Sequence, residues 1–239
     1  MRSHYALLSL LFVVGLELIF ALQRWLFIIV IGTLAVVALG IVLIKLEDGP
    51  LFRWVHTLLP IVAIIGLSGF AFLLPTTSIL HVYIIAAGVL LFLLLQHGAR
   101  QAYPLWNWAL SLVVYFLNVA FALGLNFHLY LPTLATLVMV AVMTALISYQ
   151  ALTRVVPLAR QSVVPILGMT LAIAEVVWAM QFWPVHYLVE ACVLTALYYV
   201  IFNLLGLSYM KRLTRKDVLE YAGIGVATAL LILVTAQWT

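Results

Sequence analysis

Residues 162–208 read SVVPILGMTLAIAEVVWAMQFWPVHYLVEACVLTALYYVIFNLLGLS. Two apolar runs meet at Gln181-Phe182-Trp183-Pro184. Each is about twenty residues long, which as a helix rising 1.5 Å per residue crosses about 30 Å of hydrocarbon. The acidic and imidazole side chains in the stretch are Glu175, His186 and Glu190. Such a pair of runs reads as a membrane hairpin with ionisable groups set inside it, and the rest of the chain reads as the bundle around it.

Composition agrees. Of 239 residues 67% are hydrophobic and 8% charged, whereas soluble globular domains carry about 25% charged residues. Backbone polar groups have no water partner in hydrocarbon, so spans must be helices or a closed barrel. A barrel would show alternating segments of about ten residues; the runs here are unbroken. The expected fold is all-α: a polytopic transmembrane helical bundle of about nine membrane-spanning helices with no soluble domain. The spans fall near 5–22, 25–44, 54–74, 79–95, 105–125, 129–149, 162–182, 184–208 and 218–238, in one integral membrane domain covering 1–239.

Punctuation supports these limits. Arg2 before an apolar run resembles a signal peptide, but no small-x-small cleavage site follows and Glu17 interrupts the run, so a retained helix is expected. Lys45, Glu47, Asp48, Gly49, Pro50 and Arg53 form a polar break. Pro60 and Pro165 are kink positions, Gly66 and Gly69 admit a close neighbour, and Trp106 and Trp108 sit at headgroup level. Asn126-Phe127-His128 reads as a turn, and Gln150 to Gln161 as the longest connector. Thr214 with Asp217 three residues later makes a capping-box-like start for the last helix, and Gly225 with Ala229 gives it a small-residue packing strip.

With nine spans, alternate connectors divide the basic residues unevenly. Arg2, Lys45, Arg53, Arg100, Arg154, Arg160, Lys211, Arg212, Arg215 and Lys216 fall on one side, and only Arg24 on the other. The positive-inside rule then puts the N-terminus in the cytoplasm and the C-terminus outside, in a plasma or inner membrane. The net charge of +4 is explained by this bias and gives no reason to expect nucleic acid as a partner. Lys211, Arg212, Arg215 and Lys216 are candidates for anionic lipid headgroups, each charge contributing about 1 kcal/mol near the surface.

In this topology Glu17, Glu175 and Glu190 lie roughly 9 to 12 Å below the outer boundary. His81, His128, His186, Asn126 and Arg24 also fall near outer ends. A charge at the centre of a membrane helix costs about 2.5 to 3.5 kcal/mol, so each Glu is expected to face protein or water, or to be protonated. The candidate polar site is Glu17, Glu175, His186 and Glu190. His186 and Glu190 are four apart and share a helical face. With Glu175 they supply the ligand types of a catalytic zinc, but no His-Glu-x-x-His motif accompanies them, and a structural polar contact is the default reading. No metal and no cofactor is therefore expected.

The lone Cys192 excludes an intrachain disulfide, and its place on the helix turns it from the His186–Glu190 face. Asn118 and Asn203 are candidates for interhelical bonds. Neither a nucleotide-binding motif nor a Gly-x-Ser-x-Gly elbow is present. Three readings of function follow. The first is a small transporter or channel-like protein using the carboxylates for proton or cation coupling. The second is a non-enzymatic membrane subunit that packs against a membrane-protein partner or its own copy. The third is a membrane-embedded enzyme acting on a lipid or lipid-linked substrate from the outer face, with His186 and Glu190 as acid and base. The absence of a complete catalytic constellation ranks the non-enzymatic readings first.

Overall fold

The computed structural model describes residues 2–21, 37–41, 55–74, 77–98, 104–155, 163–209 and 211–235. They form eight long helices: α1 (Arg2–Ala21), α2 (Val55–Ala71), α3 (Thr77–Gly98), α4 (Pro104–Leu129), α5 (Thr133–Val155), α6 (Val163–Met180), α7 (Tyr187–Tyr209) and α8 (Arg215–Thr235). Of the expected second span, only the helical stretch 37–41 lies within the described residues. Helices α1, α3, α4, α5, α6 and α7 are long and apolar enough to cross a membrane, and α2 is apolar over a shorter length. Leu7, Leu10, Leu11 and Val14 of α1 are exposed while Leu8, Phe12 and Leu16 are buried. Apolar side chains on both the inward and outward faces of one helix suit a lipid surround. The protein is an all-α integral membrane helical bundle.

The chain divides into two compact units, residues 1–114 and 115–239, with the division inside α4. In the first unit α1 packs on α3, and α2 on α3. The buried stripe of α1 runs Tyr5, Leu8, Phe12, Leu16, Ile19, spaced three and four apart as a helix requires to keep one face inward. Close approach to α3 depends on Gly88, where a Cβ would collide with Val13 Cγ2. Tyr83 of α3 donates its hydroxyl hydrogen to the Leu67 carbonyl of α2 at 2.9 Å, and its ring meets Phe70 at 5.4 Å between centroids.

In the second unit α5 packs on α6, α6 on α7, and α7 on both α5 and α8. Tyr115 of α4 and Tyr198 of α7 stack at 4.0 Å with 17° between ring planes, both within the core. The Tyr115 hydroxyl shares a 3.3 Å hydrogen bond with Thr144 Oγ1 of α5. The small-residue strip expected in the last helix is used: a Cβ on Gly225 would stand 2.5 Å from Val200 Cγ2 of α7.

Three limits differ from the sequence expectation. The turn expected at 126–128 is helical, because α4 continues to Leu129. The chain breaks at Tyr130, whose φ of 53° is left-handed. There the Leu131 N–H returns to the Leu125 carbonyl, closing the helix end, and Asn126 Nδ2 donates to the Leu131 carbonyl at 2.7 Å. Helix α5 runs on to Val155, taking up half of the expected connector, and Gln150 within it is buried. Helix α7 begins only at Tyr187, because His186 takes the capping position, its Nδ1 accepting the Leu188 N–H.

Candidate functional site

The four residues singled out from the sequence meet four different fates. Glu17 lies beside the buried stripe of α1, and its Oε1 is 2.9 Å from Nδ1 of His81, near the start of α3. The contact joins two helices, with 38% of the Glu17 side chain and 51% of the His81 side chain exposed. Sequence reasoning placed both residues near the same end of their spans but did not pair them. The signal was available: a carboxylate and an imidazole at similar depth in spans that must run antiparallel.

Glu190 is 7% exposed. It lies in the first turn of α7, on the inward stripe that continues through Leu194, Tyr198 and Phe202. The four-residue spacing keeps all of them on one face. Among the described residues its carboxylate has no hydrogen-bond partner. Further along the same face the Tyr198 hydroxyl also lacks a hydrogen-bond partner among the described residues, although Ser148 lies near it. Thr144 Oγ1 bonds back to the Val140 carbonyl at 2.7 Å. This row of hydroxyls in the core behind Glu190 was not anticipated, because Ser, Thr and Tyr do not stand out in a membrane span as charged groups do.

Glu175 is exposed on α6. Its neighbours one turn to either side, Leu171 and Trp178, are exposed as well, while Ile173 and Val177 face inward. Glu175 and Glu190 therefore do not share a face of the second unit. Glu17 belongs to the first unit and Glu175, His186 and Glu190 to the second.

His186 stands just before α7 and caps it. Its Nδ1 accepts a hydrogen bond from the Leu188 N–H at 3.4 Å, and its carbonyl accepts from the N–H groups of Val189 at 2.8 Å and Glu190 at 3.4 Å. That is the N-cap arrangement, in which the capping side chain takes one of the helix's unpaired N–H groups. The side-chain pair with Glu190 that the spacing allows is not formed; the link between the two residues is through the main chain. The His186 ring sits 4.3 Å from Tyr187 and 5.5 Å from Phe127 of α4. Phe127 also meets His128 at 5.1 Å, and His128 meets Tyr187 at 5.4 Å. Burial among these rings, and then the charge of nearby His128, hold the His186 imidazole below its ordinary pKa of 6.5, because both disfavour the charged form.

Lys211, Arg212, Arg215 and Lys216 are all exposed around the start of α8. There Thr214 and Asp217 form the expected reciprocal cap: the Thr214 N–H donates to Asp217 Oδ2 at 2.9 Å, and the Asp217 N–H to Thr214 Oγ1 at 3.3 Å. Cys192 is a half-buried free thiol. Among the described residues no three His, Cys, Asp or Glu side chains group as metal ligands would. Arg24, Lys45, Arg53, Arg100 and Arg160, and the side chains of His56, His97, Trp106 and Arg154, lie outside the described residues.

No curated protein and no solved structure matches this chain. A family model does, over residues 15–235, which takes in the end of α1, helices α2 to α8 and all four candidate residues. The chain belongs to DUF5656, a family of proteins of unknown function.

Proposed function

We propose that the protein is a small transporter or channel-like membrane protein in which Glu190 couples movement of a solute to a proton or cation. One observation carries this reading: a carboxyl buried to 7% exposure on the inward face of a membrane helix, with no hydrogen-bond partner among the described residues. An ionisable group at that place is costly, and it marks an ion or proton pathway more often than a structural contact. Glu17 is the weaker candidate because His81 already satisfies it. The carboxylates lie toward the external side if the N-terminus is cytoplasmic, an orientation that accessibility labelling of the two termini tests.

The decisive experiment reconstitutes the chain in vesicles and follows internal pH under an imposed proton gradient. Wild type should carry flux that Glu190→Gln reduces by about tenfold or more. Undiminished flux in Glu190→Gln, or none in the wild type, discards the proposal.

A second reading, a membrane subunit or self-associating protein, is favoured by Glu175. This carboxyl is exposed on an otherwise apolar face of α6, where a helix of another chain would relieve its desolvation. Loss of a specific partner or of self-association in Glu175→Leu would support it, and flux from the isolated monomer would count against it. The lipid-directed enzyme finds less support, because His186 is engaged as a helix cap and not paired with Glu190. Contacts of Lys211, Arg212, Arg215 and Lys216 with anionic headgroups belong to any of these readings.

A further inference from the structure

We infer that His186 is a proton-operated latch over Glu190, so that access to the buried carboxyl is regulated by pH on that face of the membrane. The inference deepens the proposal above and rests on Glu190 as the coupling group. The argument starts from the cap. To accept the Leu188 N–H at 3.4 Å, Nδ1 must carry a lone pair, which puts the imidazole proton on Nε2. Protonation places an N–H on Nδ1 as well, so a donor then faces a donor. It also sets a positive charge at a helix N-terminus, where the peptide dipoles already present their positive end. The cap is therefore compatible with the neutral ring and not with the cation.

The surroundings push the same way. His128 lies in the last turn of α4, and a charge there opposes a second one on His186. Tyr187 and Phe127 pack against the ring. On its own helix the ionisable neighbours are Tyr187 and Glu190. Among the described side chains, helices α5 and α6, which also pack on α7, contribute Tyr149 and Glu175. The ionisable residues of α8 lie level with Tyr199 and beyond, at the far half of α7.

Glu190 is in the turn that this cap fastens, its N–H bonded to the His186 carbonyl. When pH falls through the lowered pKa of His186, below 6.5, the cap is lost. The cation then carried by His186 faces the helix N-terminus and any charge on His128. The first turn of α7 loosens, and Glu190 becomes accessible to water at that end of the bundle. Above the ordinary pKa the latch is closed.

Amide hydrogen exchange of the 187–190 segment in lipid nanodiscs, corrected for the intrinsic pH dependence of exchange, reads the latch directly. Wild type should exchange about tenfold faster near pH 5 than near pH 7.5, the size of effect expected for loss of an N-cap. His186→Asn, which keeps a capping acceptor at every pH, should stay slow at both, and His186→Ala should be fast at both. His128→Ala should move the midpoint to higher pH, because the opposing charge is gone. Exchange in wild type that does not respond to pH, or His186→Asn that follows wild type, overturns the latch. The readout needs no transport, so its failure is separate from failure of the Glu190→Gln flux test, which bears on the coupling role alone.

Discussion

The Glu17–His81 contact should appear as a coupling free energy of about 1 kcal/mol between α1 and α3. Two unit charges about 4 Å apart would attract by about 4 kcal/mol at an effective dielectric of 20. That figure is too large here, because 38% of one side chain and 51% of the other are exposed. Pairs in the open are worth about 0.2 to 1 kcal/mol. Polar contacts between membrane helices average about 0.6 kcal/mol and reach about 1.7. These ranges meet near 1 kcal/mol. The assay is a double-mutant cycle on reversible unfolding in mixed micelles, with Glu17→Ala, His81→Ala and the double variant. The double variant should be destabilised by about 1 kcal/mol less than the sum of the singles. Glu17→Gln, which keeps a neutral hydrogen-bonding group, should lose only part of the coupling. Single effects that add to within about 0.3 kcal/mol would refute the pairing, and with it the packing register of α1 on α3.

That register makes its own prediction at Gly88: Gly88→Ala should destabilise the first unit by about 1 to 3 kcal/mol through overpacking against Val13. Val13→Ala in the same chain should restore most of the loss, as the same unfolding assay would show. At the start of α8, Thr214→Ala should weaken the helix by about 1 kcal/mol, seen as faster exchange of the Val218 amide, which donates to the Thr214 carbonyl. Hydrogen bonds from the Thr214 side chain and then its backbone hold the Asp217 carboxyl below its ordinary pKa of 3.8. A depressed carboxyl stabilises the fold fully above its unfolded pKa and loses that contribution as pH falls through the folded value. Protection at Val218 should therefore be flat above about pH 4.5 and decline only in stronger acid, and Thr214→Ala, which leaves only the backbone bond to Asp217, should shrink the decline.

How far such features could be read in advance depended on how local their physics is. The start of α8 was legible because a Thr and an Asp three apart act on their own turn, and Gly225 because close helix packing in lipid depends on small residues wherever the partner lies. The orientation of α6 was not legible. Leu171 and Ile173 are chemically alike, yet one is 63% exposed and the other fully buried. In water the polar face of a helix reveals its apolar one; in lipid both faces are apolar, so no sequence period says that Glu175 turns outward and Glu190 inward. His186 escaped as a cap because Ser, Thr, Asp and Asn are the residues that normally mark that position. The Tyr115–Tyr198 stack escaped because it joins positions far apart in the chain, each of which alone is an unremarked aromatic in an apolar run.

These differences bear on what the carboxylates can do. Glu17 has a partner on a neighbouring helix, His81, and the contact joins α1 to α3. Glu175 faces outward from the second unit, against whatever lies beside α6. Glu190 has neither an ion-pair partner among the described residues nor an open face. The groups nearest to its end of α7 are His186 and the rings around it, and further inward the face leads to the stacked tyrosines and the hydroxyls of Thr144 and Ser148. A proton or cation arriving at Glu190 from one end would therefore meet aromatic and hydroxyl groups before the far end of α7, where the exposed basic residues Lys211 and Arg212 follow it. Replacing Tyr198 by Phe removes a hydroxyl and leaves the stack, so flux that survives Tyr198→Phe but not Glu190→Gln would confine the coupling to the carboxyl. Flux lost in both would extend the pathway inward along α7.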